Sequence, residues 1–152
     1  PGIGITTDII VGFPGETTEQ FERTVEMVRD IRFDKVHTAC YSPRPNTIAS
    51  RKMQDDVPHE EKRRRFRVIE QLQEQISSEI NACYHGRTVD ILVDGQTKDR
   101  WQGRTRTDKL VFFHSNQDLL GKSVSVRVHN QSPWSLQGTQ EETIHPVGVA
   151  PK

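Results

Sequence analysis

The segment Asp8–Thr17 carries the residue pattern most suited to ligand chemistry, Asp-Ile-Ile-Val-Gly-Phe-Pro-Gly-Glu-Thr. An apolar run ends there in a Gly/Pro turn, and a helix-start signal follows. In α/β folds such a turn presents backbone groups at the carboxyl end of a parallel strand, where ligands bind. Gly12 would let a flat ring approach the backbone closely. No Gly-Lys-Ser/Thr follows, which excludes a Walker loop. An ordinary strand-to-helix turn is the alternative that spacing alone favours.

A second polar segment, Tyr41–Thr47, reads Tyr-Ser-Pro-Arg-Pro-Asn-Thr. It follows the second predicted strand, so we expect it on the same rim as Gly12. Pro43 and Pro45 stiffen this loop, and a stiff loop loses little entropy when it binds a ligand. A plain connector is an equally good interpretation of the pattern.

A third candidate is the segment Gly103–Lys109, in which Arg and Thr alternate. In a strand, Arg104 and Arg106 would point to one face. The neighbours that would complete a surface for single-stranded RNA, by phosphate contact and base stacking, are Lys109, Trp101 and Phe113. A solvated strand face is the alternative. RNA binding is favoured because the basic excess is local and an aromatic residue lies beside it.

The remaining candidates favour structural roles. The basic run Lys62–Arg67 could contact phosphates, but a solvated helix face is the better interpretation. Cys40 and Cys83 are far apart with no second cysteine near either, which argues against a metal site or disulfide framework and suits a reducing compartment. The histidines form no metalloprotease motif. We therefore predict no catalytic residue and no metal ligand in this chain.

The elements that would position these residues begin with an α/β unit. Ile3–Phe13 predicts a strand buried on both faces, and Thr18–Arg32 predicts an amphipathic helix with a capping box at Thr17. Lys35–Tyr41 predicts a second strand, parallel to the first. Residues 42–57 are loop-like. Asp56 could then cap a helix that runs to about Ala82.

From His85 the apolar period changes from helical to alternating. Asp94-Gly95 indicates a turn, and residues 140–152 have no period, which predicts a disordered tail. Five short strands predict a small closed antiparallel barrel of OB-like style; they are Thr88–Asp94, Trp101–Thr107, Leu110–Phe113, Ser123–His129 and Trp134–Gln137.

Composition limits the function classes. The 152 residues contain 21 basic and 21 acidic side chains, which excludes a uniformly basic nucleic-acid coat. Only 32 % are hydrophobic, enough for small cores, and no apolar run of about 18 residues predicts a membrane span. No signal peptide is visible, so we expect a cytoplasmic protein. The start at Pro1 indicates a piece of a longer protein.

Charge separates the predicted parts. Residues 84–139 hold eight basic and five acidic side chains, a net charge of +3, whereas residues 1–83 have a net charge of −2. We therefore expect three parts: residues 1–83, a basic barrel over residues 84–139, and a tail over residues 140–152.

Two motif sets resemble one known family. Thr7–Thr17 and Tyr41–Pro45 are similar to the later part of the radical-SAM domain of methylthiotransferases. Gly86–Thr88, Gly103–Thr107 and Leu136–Gly138 are similar to the TRAM domain at the carboxyl end of the same enzymes. Both sets occur in the family's order over about residues 1–139. The Ser-Pro-Arg-Pro form points to the MiaB type, which acts on tRNA.

The resemblance implies a fold and an activity. The fold would be the last strands and helices of a radical-SAM TIM-like barrel, an incomplete α/β domain, followed by a small all-β OB-like TRAM barrel. The full enzymes place a methylthio group on N6-isopentenyladenosine beside the anticodon. They use S-adenosylmethionine and two 4Fe-4S clusters, and the TRAM barrel grips the anticodon stem-loop of tRNA.

By position, the resemblance assigns cofactor contact to Ile10, Gly12, Glu16, Tyr41 and Ser42, and it places Arg104, Arg106 and Lys109 on the RNA-facing barrel. Together with Trp101, from the residue pattern, and Arg87, these are the predicted RNA contacts. The family's Cys-x-x-x-Cys-x-x-Cys loop is absent from these residues, so the cluster ligands are expected upstream, and the chain alone is expected to be inactive. Asn46 stands where the family usually has Gly. The alternatives are a stand-alone, non-catalytic RNA-binding module and a sister methylthiotransferase that acts on threonylcarbamoyl-adenosine.

Overall fold

The computed structural model describes residues 2–145 and divides into two compact units. The αβ unit comprises residues 5–76, and the barrel unit comprises residues 77–145 together with residues 2–4. The division lies between Ile76 and Ser77, inside a long helix, whereas the sequence favoured a boundary after that helix. Asn81, near the helix end, donates to the backbone oxygens of Ser132 (2.8 Å) and Pro133 (3.0 Å), which fixes the last helical turn to the barrel unit.

The αβ unit is built on two parallel strands. Its elements in chain order are β1 (Thr6–Val11), α1 (Thr18–Ile31), β2 (Lys35–Cys40), α2 (Ile48–Lys52) and the first part of α3 (His59–Ala82). β1 and β2 pair in register, with Thr6 opposite Lys35 and Val11 opposite Cys40. Because the strands are parallel, their carboxyl ends lie side by side.

One face of this sheet forms the core of the αβ unit. Ile9, Val11 and Val36 are buried, as are Phe21 of α1 and Ile69 of α3. The prediction that the first strand is buried on both faces is wrong: Ile10, on the other face, is 57 % exposed. A two-stranded sheet packed on one side only leaves alternate side chains in solvent.

Local capping explains where the helices begin. Thr17 and Gln20 form the predicted capping box at the start of α1. Thr47 caps the short helix α2, which lies in the region predicted as loop. Asp56 does not cap α3: its Oδ1 accepts a hydrogen bond from the Gly15 N–H at 2.8 Å, and the helix begins at His59. Within residues 2–145, no helix is both long enough and apolar enough to cross a membrane.

The barrel unit contains the five predicted strands. They are β3 (Thr88–Thr97), β4 (Arg100–Thr105), β5 (Leu110–His114), β6 (Ser123–Gln131) and β7 (Leu136–His145). They close in the order β3-β4-β5-β7-β6. The pair β5–β7 is parallel and the other pairs are antiparallel, so the prediction of an all-antiparallel barrel is wrong in that one pair.

Two further expectations about the barrel are corrected. Asp94-Gly95 is not a turn: the pairing of β3 with β4 shifts between Val93 and Gly95, and the strand continues to Thr97. Asp94 is therefore an extra residue in β3, a bulge, and does not reverse the chain. The tail predicted over residues 140–152 begins as strand, since β7 pairs with β6 as far as His145. Residues 146–152 lie outside the described residues.

The barrel closes tightly at two glycines. A Cβ on Gly103 would lie 2.5 Å from the backbone oxygen of Leu92, and one on Gly138 would collide with the backbone oxygen of Arg127. Inside, ten buried side chains form a single core; they are Ile91, Val93, Trp101, Val111, Phe113, Leu119, Val124, Val126, Val128 and Leu136.

Candidate nucleic-acid interface and cofactor rim

The five residues predicted to touch a cofactor lie at the carboxyl ends of β1 and β2. The Tyr41 N–H donates to the Val11 oxygen at 2.8 Å, which places Tyr41 next to the turn that follows β1. Ser42 comes next and is exposed. Gly12 adopts φ 72°, a left-handed conformation that favours glycine. Glu16 closes the turn, because its Oε2 accepts a hydrogen bond from the Gly12 N–H at 2.6 Å.

Arg65 of α3 anchors this turn through an ion pair with Glu16. Its Nη1 lies 2.6 Å from Glu16 Oε2, and its Nε lies 2.8 Å from Glu61 Oε1. The Arg65 side chain is only 4 % exposed, and its guanidinium lies over the Phe21 ring at 5.3 Å. A buried guanidinium needs such partners, because an unpaired charge in the interior is costly.

Lys62, one helical turn earlier, makes a second buried contact with the rim. Its Nζ pairs with Asp55 Oδ1 and lies 5.2 Å from the centre of the Tyr41 ring. Its methylene stem occupies the space that a Cβ on Gly12 would need. A side chain at position 12 is therefore disfavoured twice, by the backbone conformation and by the Lys62 stem.

The ion pairs at the start of α3 perturb one titration. Hydrogen bonds from Arg64 and Arg65 lower the pKa of Glu61 from 4.5 to about 2. Because the pKa in the folded protein lies below the ordinary value, the stabilisation from these contacts is complete above pH 4.5. It is lost as the pH falls towards 2.

The basic run on α3 is therefore only partly a solvated face. Arg63, Arg64 and Arg67 are exposed as expected, whereas Lys62 and Arg65 are buried. Lys62 lies three residues before Arg65, and Arg65 lies four residues before the buried Ile69, which is the spacing of the apolar stripe. That spacing could have identified both side chains as buried. Their burial was missed because a buried helix stripe is normally recognised by its apolar residues alone, and these two residues are charged.

Several polar groups of the turn are already satisfied within the αβ unit. The Gly12 N–H donates to the Glu16 carboxylate, which also accepts a hydrogen bond from Arg65 Nη1. The groups left open to a ligand are the exposed side chains of Ile10 and Ser42 and the partly buried Tyr41. Among the described residues, no three His, Cys, Asp or Glu side chains are grouped as metal ligands would be. Cys40 and Cys83 are free thiols.

In the barrel unit, three of the five predicted RNA contacts are exposed: Arg87, Arg104 and Arg106. Arg104 points outward from β4 and lies 3.3 Å from Asp108 Oδ1 and 3.8 Å from Asp94 Oδ2. Ion pairs between exposed side chains contribute little to stability, so an RNA phosphate can compete for this guanidinium. Arg106 lies in the turn after β4 rather than in the strand.

The prediction of surface positions for Trp101 and Lys109 is wrong. Trp101 is 7 % exposed, packs in the barrel core and donates its Nε1–H to the Ser115 oxygen at 3.3 Å. Trp101 and Arg104 are three residues apart in a strand, so they point to opposite faces. Lys109 is buried as well, and so is Phe113, the other aromatic considered for stacking.

The same alternation reveals outward residues that sequence reasoning missed. Arg100, Gln102 and Arg104 share the outer face of β4, and Phe112 lies on the outer face of β5. The Arg100 guanidinium lies over the Phe112 ring, 5.2 Å from its centre. Counting in twos from Arg104 would have found the β4 set.

Residues 82–139 match the TRAM domain family, and the match coincides with the end of α3 and the barrel up to the start of β7. The barrel is thus a TRAM domain, as the motifs Gly86–Thr88, Gly103–Thr107 and Leu136–Gly138 predicted.

The chain as a whole is similar to proteins named tRNA-2-methylthio-N(6)-dimethylallyladenosine synthase. It is 47 % identical to that of Dehalococcoides mccartyi strain 195 over 90 % of this chain and 33 % of the relative. It is 49 % identical to that of Chloroflexus aurantiacus over 93 % of this chain and 31 % of the relative. It is 50 % identical to that of Herpetosiphon aurantiacus over 91 % of this chain and 32 % of the relative. The resemblance to tRNA methylthiotransferases with a TRAM domain is confirmed. The chain spans about a third of the length of these relatives.

Replacing Arg65 by Met should destabilise the αβ unit by about 3 kcal/mol, because two partly buried carboxylates would lose their shared partner. Urea unfolding followed by helical far-UV circular dichroism measures this, since most of the helix lies in the αβ unit. Both tryptophans, Trp101 and Trp134, lie in the barrel unit. Their fluorescence transition should stay within about 0.5 kcal/mol of the unchanged chain.

The matched control is Arg64→Met, which removes an exposed arginine from the same Glu61 carboxylate. We expect a loss below about 1 kcal/mol, as for other surface pairs. Equal losses for Arg64→Met and Arg65→Met would contradict the buried network described above.

Proposed function

We propose that this chain is part of a radical-SAM methylthiotransferase that modifies N6-isopentenyladenosine beside the anticodon of tRNA. The observation that carries the proposal is that one chain contains both a TRAM domain over residues 82–139 and the Gly12 turn at the carboxyl end of β1. The relatives that align with about nine tenths of this chain are named as synthases of the methylthiolated product. Because they are about three times longer, the whole activity belongs to a longer protein.

The barrel unit supplies RNA contact in this proposal. Residues 84–139 have a net charge of +3, but Glu79, Glu141 and Glu142 also lie in the barrel unit and bring its net charge to zero. The proposal therefore rests on where the arginines lie. Arg87, Arg104 and Arg106 are exposed, and guanidinium groups pair well with phosphate oxygens. An OB-like barrel with outward arginines suits an RNA stem-loop, whose phosphates attract the cations and whose unpaired bases can be contacted.

The αβ unit supplies one edge of the S-adenosylmethionine site. Ile10 offers an exposed apolar surface to the adenine, and Tyr41 and Ser42 flank it at the end of β2. Gly12 and Glu16 fix the turn rather than bind the cofactor through free polar groups, since their hydrogen bonds are internal. When bound, the cofactor supplies the group that abstracts hydrogen from the base.

The 4Fe-4S clusters do not fit the residues of this chain. Such clusters are held by several cysteine thiolates, whereas Cys40 and Cys83 are the only two cysteines. The described residues contain no group of three potential ligands. In this proposal the cluster ligands come from the rest of the longer protein. The longer protein binds tRNA in the cytoplasm.

Replacing Arg104 and Arg106 together by Ala should weaken binding of an anticodon stem-loop RNA about tenfold at moderate salt. The slope of log Kd against log salt should also fall, by about one for each phosphate that the variant no longer neutralises. Fluorescence anisotropy of labelled RNA at a series of salt concentrations measures both quantities.

Arg127→Ala is the matched control, because Arg127 is an exposed arginine on β6 of the same barrel. We expect little change in affinity or slope. A double variant that binds like the unchanged chain, or a control with the same loss, would count against this surface.

The enzymatic part of the proposal is tested by disrupting the gene and profiling modified tRNA nucleosides by mass spectrometry. The expected result is loss of 2-methylthio-N6-isopentenyladenosine with accumulation of N6-isopentenyladenosine. Loss of the methylthio group from threonylcarbamoyl-adenosine would instead identify the sister activity. An unchanged profile would favour a non-catalytic RNA-binding module.

A further inference from the structure

The outer surface of β4, β5 and β7 carries a row of side chains suited to a nucleobase. Phe112 lies at its centre, in register with Gln102 on β4 and with Gln137 on β7. Phe112 is only partly buried, whereas the next residue, Phe113, is in the barrel core. The core therefore does not account for an aromatic side chain at position 112.

The Arg100 side chain lies over the ring of Phe112. Its guanidinium lies 5.2 Å from the ring centre and is itself partly buried. The contact orders a long side chain and keeps a planar cation at the sheet surface. Aromatic rings and guanidinium planes are the two protein groups on which unpaired bases stack.

Amide groups flank this surface. Gln102 is held in place, since its Nε2 donates to Asp94 Oδ1 at 3.3 Å and its Oε1 accepts from the Thr97 hydroxyl at 3.2 Å. In the part of the chain that the structure describes, the Gln137 side chain makes no hydrogen bond. A carboxamide can both donate to and accept from the edge of a base.

We propose that Phe112 and Arg100 form a stacking platform for one unpaired base of the bound RNA, with the Gln137 amide at the edge of that base. This inference rests on RNA binding by the barrel unit. Arg104 lies four residues along the same strand face from Arg100, about 13 Å away at the usual strand rise. It would contact a phosphate of the same RNA, so one face of the barrel would engage both base and backbone.

The test uses the whole chain and an anticodon stem-loop RNA with 2-aminopurine at each loop position in turn. Stacking quenches 2-aminopurine fluorescence, so one position should be quenched on binding. Phe112→Leu keeps an apolar side chain but removes the ring. It should abolish that quenching and weaken binding about tenfold, with the salt slope unchanged because no charge is removed.

Arg100→Lys is the second variant, and it tests the stacking platform even if Phe112→Leu fails to fold. It keeps the charge and removes the planar group, so it should reduce the quenching and leave the salt slope unchanged. Trp134→Leu is the matched control, because Trp134 is an aromatic residue 53 % exposed in the β6–β7 connection. We expect it to bind and quench like the unchanged chain.

The outcomes separate the two proposals. If folded Phe112→Leu and Arg100→Lys retain both quenching and affinity while the Arg104/Arg106 double variant binds weakly, the platform is wrong and the RNA surface stands. If the unchanged chain binds no RNA, both fail. Equal loss of quenching in Trp134→Leu would also overturn the assignment of Phe112 and Arg100.

Discussion

The close approach of β3 and β4 at Gly103 is the constraint on which the barrel and its proposed RNA surface depend. A Cβ on Gly103 would lie 2.5 Å from the backbone oxygen of Leu92, which is too close for any side chain at this position. With Gly103 facing inward, the residues at even spacing from it, Trp101 among them, also face inward, and Arg104 must face outward. The register that fills the core therefore also selects which cations and aromatics face outward.

A different constraint shapes the αβ unit. There, α3 brings two buried cations, Lys62 and Arg65, against the turn that joins β1 to α1. Replacing such ion pairs by apolar residues is often neutral for stability, so these pairs matter here for the geometry that they specify. A hydrophobic contact tolerates sliding, whereas the Glu16–Arg65 pair fixes one position of the turn beside Gly12.

Much of this architecture follows from sequence because it is decided locally. The capping box at Thr17, the parallel pair β1–β2 and the five barrel strands were all predictable from spacing and turn residues. Long-range pairing was not. Asp94-Gly95 is a bulge because β4 pairs across it, and residues 140–145 are strand because β6 lies beside them. The burial of Trp101 was predictable from strand alternation. It was predicted at the surface instead, because basic residues lie close to it in the sequence.

The most direct test of the account is a titration of the isotope-labelled chain with anticodon stem-loop RNA, followed by NMR of the arginine side-chain Nε–H groups. The account predicts that Arg100 and Arg104, on the outer face of β4, show the largest shifts and that Arg127 on β6 is unchanged. Shifts confined to Arg127 or to the exposed arginines of α3, or no shifts at RNA concentrations that saturate binding, would contradict it.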